Sequence, residues 1–201
     1  MSDPLFVPHD HDATLLDPDE RRQLLLPHLA TRAQLNEAEQ ENITDAAVWA
    51  FGRSRDVLSE HFLLSLHQRM LGRVWQWAGT IRDTERNIGV AIHQIRPQLR
   101  ALLDDAAYQV EHATFPPDEI AVRFHHRLVF IHPFPNGNGR HGRLAADLLA
   151  VRLGRPRFSW GSESLGTGSL VAIDETRRRY IEALRAADAH AIQPLLEFAR
   201  S

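Results

Sequence analysis

The chain has 201 residues, 43% of them hydrophobic and 24% charged, and its formal charge at neutral pH is −3. That length suits one well-packed domain, and the near balance of acids and bases leaves no electrostatic footprint for nucleic acid. Cysteine is absent and no apolar run reaches membrane-spanning length, which excludes disulfides, thiolate metal sites and a transmembrane helix.

The N-terminus carries acids early, unlike a signal peptide, so a cytoplasmic location is expected. Every strongly basic residue is an arginine, whose planar, permanently charged fork suits phosphate. Without lysine there is no Walker A loop, and neither a His-Glu-x-x-His zinc signature nor a Gly-x-Ser-x-Gly elbow is present.

Residues 1–30 read as an arm punctuated by Pro4, Pro8, Pro18 and Pro27, with a short helix from about Asp17 to Leu26. Its His9-Asp10-His11-Asp12 run fits either a metal cluster or, more simply, a solvated terminus. Residues 31–201 read as the domain proper. Thr31 suits a helix N-cap and Asn42 a helix end; a second, interrupted helix runs from Thr44-Asp45 to Leu71. After Trp75 and Trp77, taken as core aromatics, the alternation across Ile81–Ile95 predicts a small hairpin. Pro97 opens a helix to about His112, and Pro116-Pro117-Asp118-Glu119 opens another to Phe130. A glycine-rich turn, a helix over Asn138–Leu153, a long connection and two closing helices (Leu170–Ala187 and Ala191–Ala199) complete a mainly α chain with one β-hairpin.

The turn is the informative stretch: Ile131-His132-Pro133-Phe134-Pro135-Asn136-Gly137-Asn138-Gly139-Arg140-His141-Gly142-Arg143. Pro133 stops the preceding helix just after His132. Gly137 and Gly139 allow several N–H groups to converge where the next helix begins, and a helix N-terminus with converging N–H groups is an anion site. Arg140 and Arg143, three apart on the first helical turn, lean over the same anion. Two arginines and a backbone nest suit a di- or triphosphate. At the rim, His132 is the side chain able to take a proton near neutral pH.

These residues resemble the Fic (Fic/Doc, Fido) signature His-Pro-Phe-x-Asp/Glu-Gly-Asn-Gly-Arg-x-x-Arg at every fixed position except the acid, where Asn136 stands. Leu66-His67, Trp75-x-Trp77-Ala78-Gly79-x-x-Arg82 and Tyr180-x-x-Ala183-Leu184-x-x-Ala187-Asp188 extend the resemblance over most of the chain. Leu35-Asn36-Glu37-x-Glu39-Gln40-x-Asn42-Ile43 is similar to the subgroup called mobile mystery protein B.

The resemblance implies a Fic-type helical domain with a β-hairpin flap, and a protein adenylyltransferase that moves AMP from ATP to a Ser, Thr or Tyr hydroxyl. It implies His132 as general base and Phe134 as structural anchor. Gly137, Asn138 and Gly139 would hold the α- and β-phosphates, with Arg140 and Arg143 on the phosphates. Asn87, Ile88, Gly89, Val90, Ala91 and Ile92 would form a flap that positions the target. Asn136 would stand where the family's acid helps hold Mg²⁺. A neutral carbonyl there leaves Mg²⁺ bound mainly through the nucleotide, or leaves a nucleotide- or partner-binding pseudoenzyme.

The family's inhibitory glutamate, which pairs with the second arginine, has Glu41 and Glu39 as candidates. Glu41 is preferred because Asn42 follows it as in the inhibitory motif, although Glu37 stands at the motif's Ser/Thr place. An antitoxin-like partner is the alternative source of restraint. His125 or His126 could orient His132, and Arg177-Arg178-Arg179 reads as a solvated helix face.

Overall fold

A computed structural model describes residues 18–162 and 170–201. The His9–Asp12 run and the glycines at 166 and 168 lie outside them. The helices are α1 (Pro18–Arg21), α2 (Arg32–Phe51), α3 (Glu60–Leu71), α4 (Ile92–His112), α5 (Pro117–Ile131), α6 (Asn138–Arg152), α7 (Leu170–Asp188) and α8 (Gln193–Arg200). None among the described residues is long and apolar enough to cross a membrane.

Thr31 caps α2 through a reciprocal box: its hydroxyl accepts from the Gln34 N–H at 3.3 Å, and the Gln34 side chain accepts from the Thr31 N–H at 3.1 Å. The expected break at Asn42 does not occur. No glycine or proline interrupts the run, Thr44 returns its hydroxyl to the Gln40 carbonyl at 2.9 Å, and α2 continues to Phe51 before Gly52. The interruption falls instead at residues 52–59, where Ser59 accepts from the Phe62 N–H and opens α3. α1 is a single turn, shorter than the helix expected up to Leu26. The chain after it is no free arm, because Leu24 bridges Trp75 and the Leu25 N–H bonds the Val74 carbonyl at 2.8 Å.

α5 and α6 lie against each other at the centre, and their facing sides bury Phe124, Leu128, Ile131, Leu144, Leu148 and Leu149. Acids in the first turn of α5 complement its dipole, and Asp118 also receives Arg155 and Arg200 from distant parts of the chain. The two arginines hold its carboxyl below the usual range against the opposing effect of burial. α2 and α3 pack together and on α6, α4 and α8 pack on α5, and α7 packs on α8. Trp75 and Trp77 are buried and stacked at 5.1 Å, in the core as expected.

The hairpin does not form: among the described residues there is no β-strand, and the Leu24–Trp75 bridge is isolated. Residues 82–91 are an irregular loop tied down by a buried arginine. Arg82 donates to the backbone carbonyls of His132 (2.7 Å), Thr84 (3.1 Å) and Val90, and its own N–H bonds the Pro133 carbonyl at 2.9 Å. One guanidinium thus does what a ladder of strand bonds would have done. α4 begins at Ile92, five residues before Pro97, because Glu85 of this loop accepts from the Ile92 N–H at 3.1 Å. Ile92 therefore belongs to the helix and not to the flap.

Candidate active site

His132 ends α5 in the left-handed conformation (φ 56°, ψ 58°), an uncommon and strained state for a residue with a side chain. Arg82 holds its carbonyl from one side. Gly89, itself at φ +94°, lies so close that an added Cβ would come within 2.5 Å of the His132 Cβ. Only glycine brings the flap backbone this near to the histidine. The imidazole is 4% exposed. Burial first, and then the charge of Arg82, lower its pKa to about 4, against a hydrogen bond to the Val129 backbone that acts the other way. At neutral pH the ring is uncharged and able to accept a proton.

The following loop is fixed from beneath. Phe134 is 1% exposed; its ring stacks on His67 at 3.7 Å and meets His141 edge-on at 4.9 Å. The Gly79 N–H donates to His67 Nδ1 at 2.8 Å, so Nε2 carries the proton and donates to the Asn136 carbonyl at 3.0 Å. Burial, above all, keeps His67 neutral. His141 Nε2 donates to the Leu63 carbonyl at 3.0 Å, and burial lowers its pKa to about 4. Asn138 grips both backbone groups of Phe134: Oδ1 accepts from its N–H at 3.0 Å and Nδ2 donates to its carbonyl at 2.8 Å. The Asn138 side chain therefore shapes the loop, which leaves its backbone N–H as the group able to meet a phosphate.

Gly137 takes φ +79° at the N-cap of α6, and the first helical bond runs from the His141 N–H to its carbonyl at 2.9 Å. The N–H groups of Asn138, Gly139 and Arg140 therefore have no partner within the helix, and no side chain caps this end. They open on a cavity of about 1030 Å³ lined also by His132, Asn136, Arg140, Arg143 and the flap residues Asn87, Ile88 and Gly89. Val90 and Ala91, the other expected flap residues, lead into α4; Val90 is buried and its N–H bonds the Ile131 carbonyl at 3.4 Å. The Arg143 guanidinium lies 5.2 Å from the centre of the Tyr180 ring, whose hydroxyl bonds His125 Nε2 at 3.0 Å.

Glu39 reaches the site and Glu41 does not. The Glu39 carboxylate is 7% exposed, accepts from Trp75 Nε1 at 2.7 Å and pairs with Arg140 at 2.5 Å. Glu41, two residues on, is exposed on another face of α2. The glutamate thus meets the first arginine of the loop, whereas the sequence pointed to the second. Neither His125 nor His126 turns toward His132; they bond Tyr180 and Asp188. Arg178 lies on an exposed face, paired with Glu175 and Glu182, while Arg177 lines the cavity. Tyr180, Trp160 and Asp188 also line it, and of these only Tyr180 and Asp188 stood within a stretch that the sequence marked.

The donor set does not fit a protein-held Mg²⁺. Asn136 Oδ1 already accepts from the Gly137 N–H at 2.6 Å, and Glu39 is spent on Arg140 and Trp75. No group of three His, Cys, Asp or Glu residues able to hold a metal occurs among the described residues.

The helical domain joins a neutral histidine at a helix end to an uncapped helix N-terminus and two arginines, an arrangement whose chemistry suits an anion with a base at its rim. Residues 57–150 match the model of the Fic/DOC family, and the chain belongs to that family. Protein adenylyltransferase fic-1 of Caenorhabditis elegans is 29% identical over 151 residues, covering 73% of this chain and 27% of that protein. Its namesake in Caenorhabditis briggsae is 30% identical over 141 residues, covering 68% and 25%. The chain thus spans about a quarter of the length of these curated relatives. A solved fragment of Fic-1 from C. elegans superposes with a TM-score of 0.64 at 27% identity, over 81% of this chain and 47% of that one. BepC from Bartonella tribocorum, solved with bound AMPPNP, shares the fold, with a TM-score of 0.65 at 19% identity over 86% and 87%.

Proposed function

We propose that this chain is a protein adenylyltransferase, with residues 31–201 as its Fic domain, that transfers AMP from ATP to a Ser, Thr or Tyr hydroxyl of a cytoplasmic target protein. The observation that carries the reading is the pairing of an uncharged His132 with the open N-terminus of α6 in one cavity. The names of the relatives from the two Caenorhabditis species support it. Neutral His132 accepts the proton of the target hydroxyl as its oxygen bonds the α-phosphorus, and the bond to the β-phosphate oxygen breaks to release pyrophosphate. The N–H groups at 138–140, Arg140 and Arg143 stabilise the charge on the phosphates. A bound triphosphate also raises the basicity of the imidazole, because it places negative charge beside a ring otherwise flanked by Arg82.

Glu39, which occupies Arg140, is the restraint in this reading, and an antitoxin-like partner would act by holding α2 in place. The test uses ATP labelled at the α- or the γ-phosphate. Label from the α position, and not from the γ position, should become covalently attached to protein hydroxyls. Attachment of γ-label would make the chain a kinase instead.

The absence of a carboxylate in the loop favours a second reading, a domain that binds nucleotide and transfers slowly. Mg²⁺ then arrives with the nucleotide and is held mainly by its phosphates. Asn136→Asp adds a carboxylate beside the diphosphate and should shift the Mg²⁺ requirement for transfer to lower concentration. An unchanged Mg²⁺ titration would mean that residue 136 does not face the metal.

A further inference from the structure

The groove between α2 and α3 is a second recess, built from residues that the α6 cavity does not share. Its volume is about 490 Å³, within the range of small-ligand pockets. Asn42, in its wall, is 2% exposed, and its Nδ2 is buried with no acceptor among the described residues. A buried amide donor left unmet is costly, and a ligand carbonyl placed against it would relieve that cost. Arg69 lines the same groove. Its guanidinium lies over the Trp49 ring, 4.2 Å from the centre, and no carboxylate among the described residues pairs with it. Trp49 is itself held, because Arg55 lies 3.7 Å from the ring centre and donates to the Trp49 carbonyl at 3.0 Å. Stacking on the indole fixes the plane of the Arg69 fork and leaves its N–H groups unspent.

The remaining charges in the wall are Arg73 and Asp45, which pair at 2.6 Å with both side chains exposed. Their charges offset each other, so Arg69 leaves the groove net positive. Beside it stand the Trp49 ring and Val48, an apolar side chain that is 71% exposed. A planar cation, a buried amide donor and an apolar shoulder in one recess match a molecule with a carboxylate, a carbonyl and an aliphatic chain. We propose that this groove binds an acylated amino acid or the C-terminal residue of a peptide. The carboxylate takes the Arg69 fork, the acyl carbonyl accepts from Asn42 Nδ2, and an aliphatic side chain covers Val48 and Trp49. The two sources share this chemistry and differ only in what continues beyond the acyl carbonyl.

The test is a titration of isotope-labelled protein with N-acetyl-L-leucine, read by NMR at the Asn42 side-chain amide, the Arg69 Nε–H and the Trp49 indole N–H. All three should shift together and saturate, while the Nε–H signals of Arg140 and Arg143 do not move. N-acetyl-L-leucinamide, which lacks the negative charge, should bind at least about tenfold more weakly, the scale of a lost charge-assisted bond. Arg69 is exposed, so Arg69→Leu should fold as the parent does and lose a similar factor. Arg69→Lys, with the charge but not the fork, should fall between. Asp45→Asn removes the one acid of the wall and should tighten binding about threefold. Tighter binding of N-acetyl-diglycyl-leucine than of N-acetyl-L-leucine would assign a peptide end and the reverse a free acid, and either result upholds the site. No saturable shift at Asn42, equal binding of the amide, or shifts centred on Arg140 and Arg143 would overturn it.

Discussion

The loop at 132–143 and the flap at 82–91 face the same cavity, yet they are held in different ways. The loop rests on several independent buried groups: His67, His141, Asn138 and the Phe134 ring. The flap has no strand pairing and hangs largely on Arg82, with Gly89 packed on His132. The loop is therefore held by many groups, whereas the flap depends largely on one side chain. The difference fits the two tasks, since phosphate binding needs fixed N–H groups and a target segment needs a surface that can adjust.

Removing Arg82 should show the contrast most sharply. Arg82→Met keeps much of the bulk but strips the carbonyls of His132, Thr84 and Val90 of their donor in a buried place. We expect a loss of at least about 3 kcal/mol in urea unfolding, from several buried acceptors left unpaired. Transfer to a target should suffer more than nucleotide affinity. A variant that unfolds like the parent would show that the flap has other supports.

Acid should attack the loop before the flap. His132, His141 and His125 have pKa values lowered to about 4, 4 and 3, chiefly by burial, and His67 lies well below the ordinary value. In the unfolded chain each takes a proton near pH 6.5, while in the folded chain each stays neutral down to its lowered pKa. The unfolded state thus binds more protons between these limits, so stability is full above about pH 6.5 and falls as pH drops toward 4. The slope is up to about 1.4 kcal/mol per pH unit for each histidine. Urea midpoints at pH 7.5 and 5.5 measure it, and similar midpoints would contradict the neutral buried state of these rings.

A smaller effect belongs to α2. Glu39→Gln keeps an acceptor for Trp75 and removes the negative charge that pairs with Arg140, so transfer should rise several-fold at low ATP, while the exposed Glu41→Gln should change nothing. No rise in the first, or an equal rise in both, removes Glu39 as a restraint.

Much of this was legible in the sequence because it was local. His132, Pro133, Gly137, Asn138 and Gly139 announce a helix end, a turn and a helix start within a few residues, and the structure keeps that order. The Pro116-Pro117 pair likewise placed α5, and the glycine-rich turn placed α6. What was not legible came from contacts distant in sequence. Arg82 supplants the hairpin by reaching carbonyls 50 residues away, as its bond to His132 shows, and no alternation pattern reports that. Glu39 was weighed against Glu41 by motif position, but the Trp75 indole and Arg140 decide which face of α2 is buried. Asn42 read as a helix end because of its residue type, and the packing of α2 against α3 overrode that preference.

The proposed division of labour, with His132 as base and the N-terminus of α6 as phosphate site, is tested most directly by His132→Ala, read for ATP affinity and for α-label transfer in the same preparation. The ring bonds the Val129 backbone of α5, so its loss should leave ATP affinity within about twofold while transfer falls by at least about 10²-fold, the lower range for a general base. Parallel loss of affinity and transfer, or transfer that survives the substitution, would contradict the account.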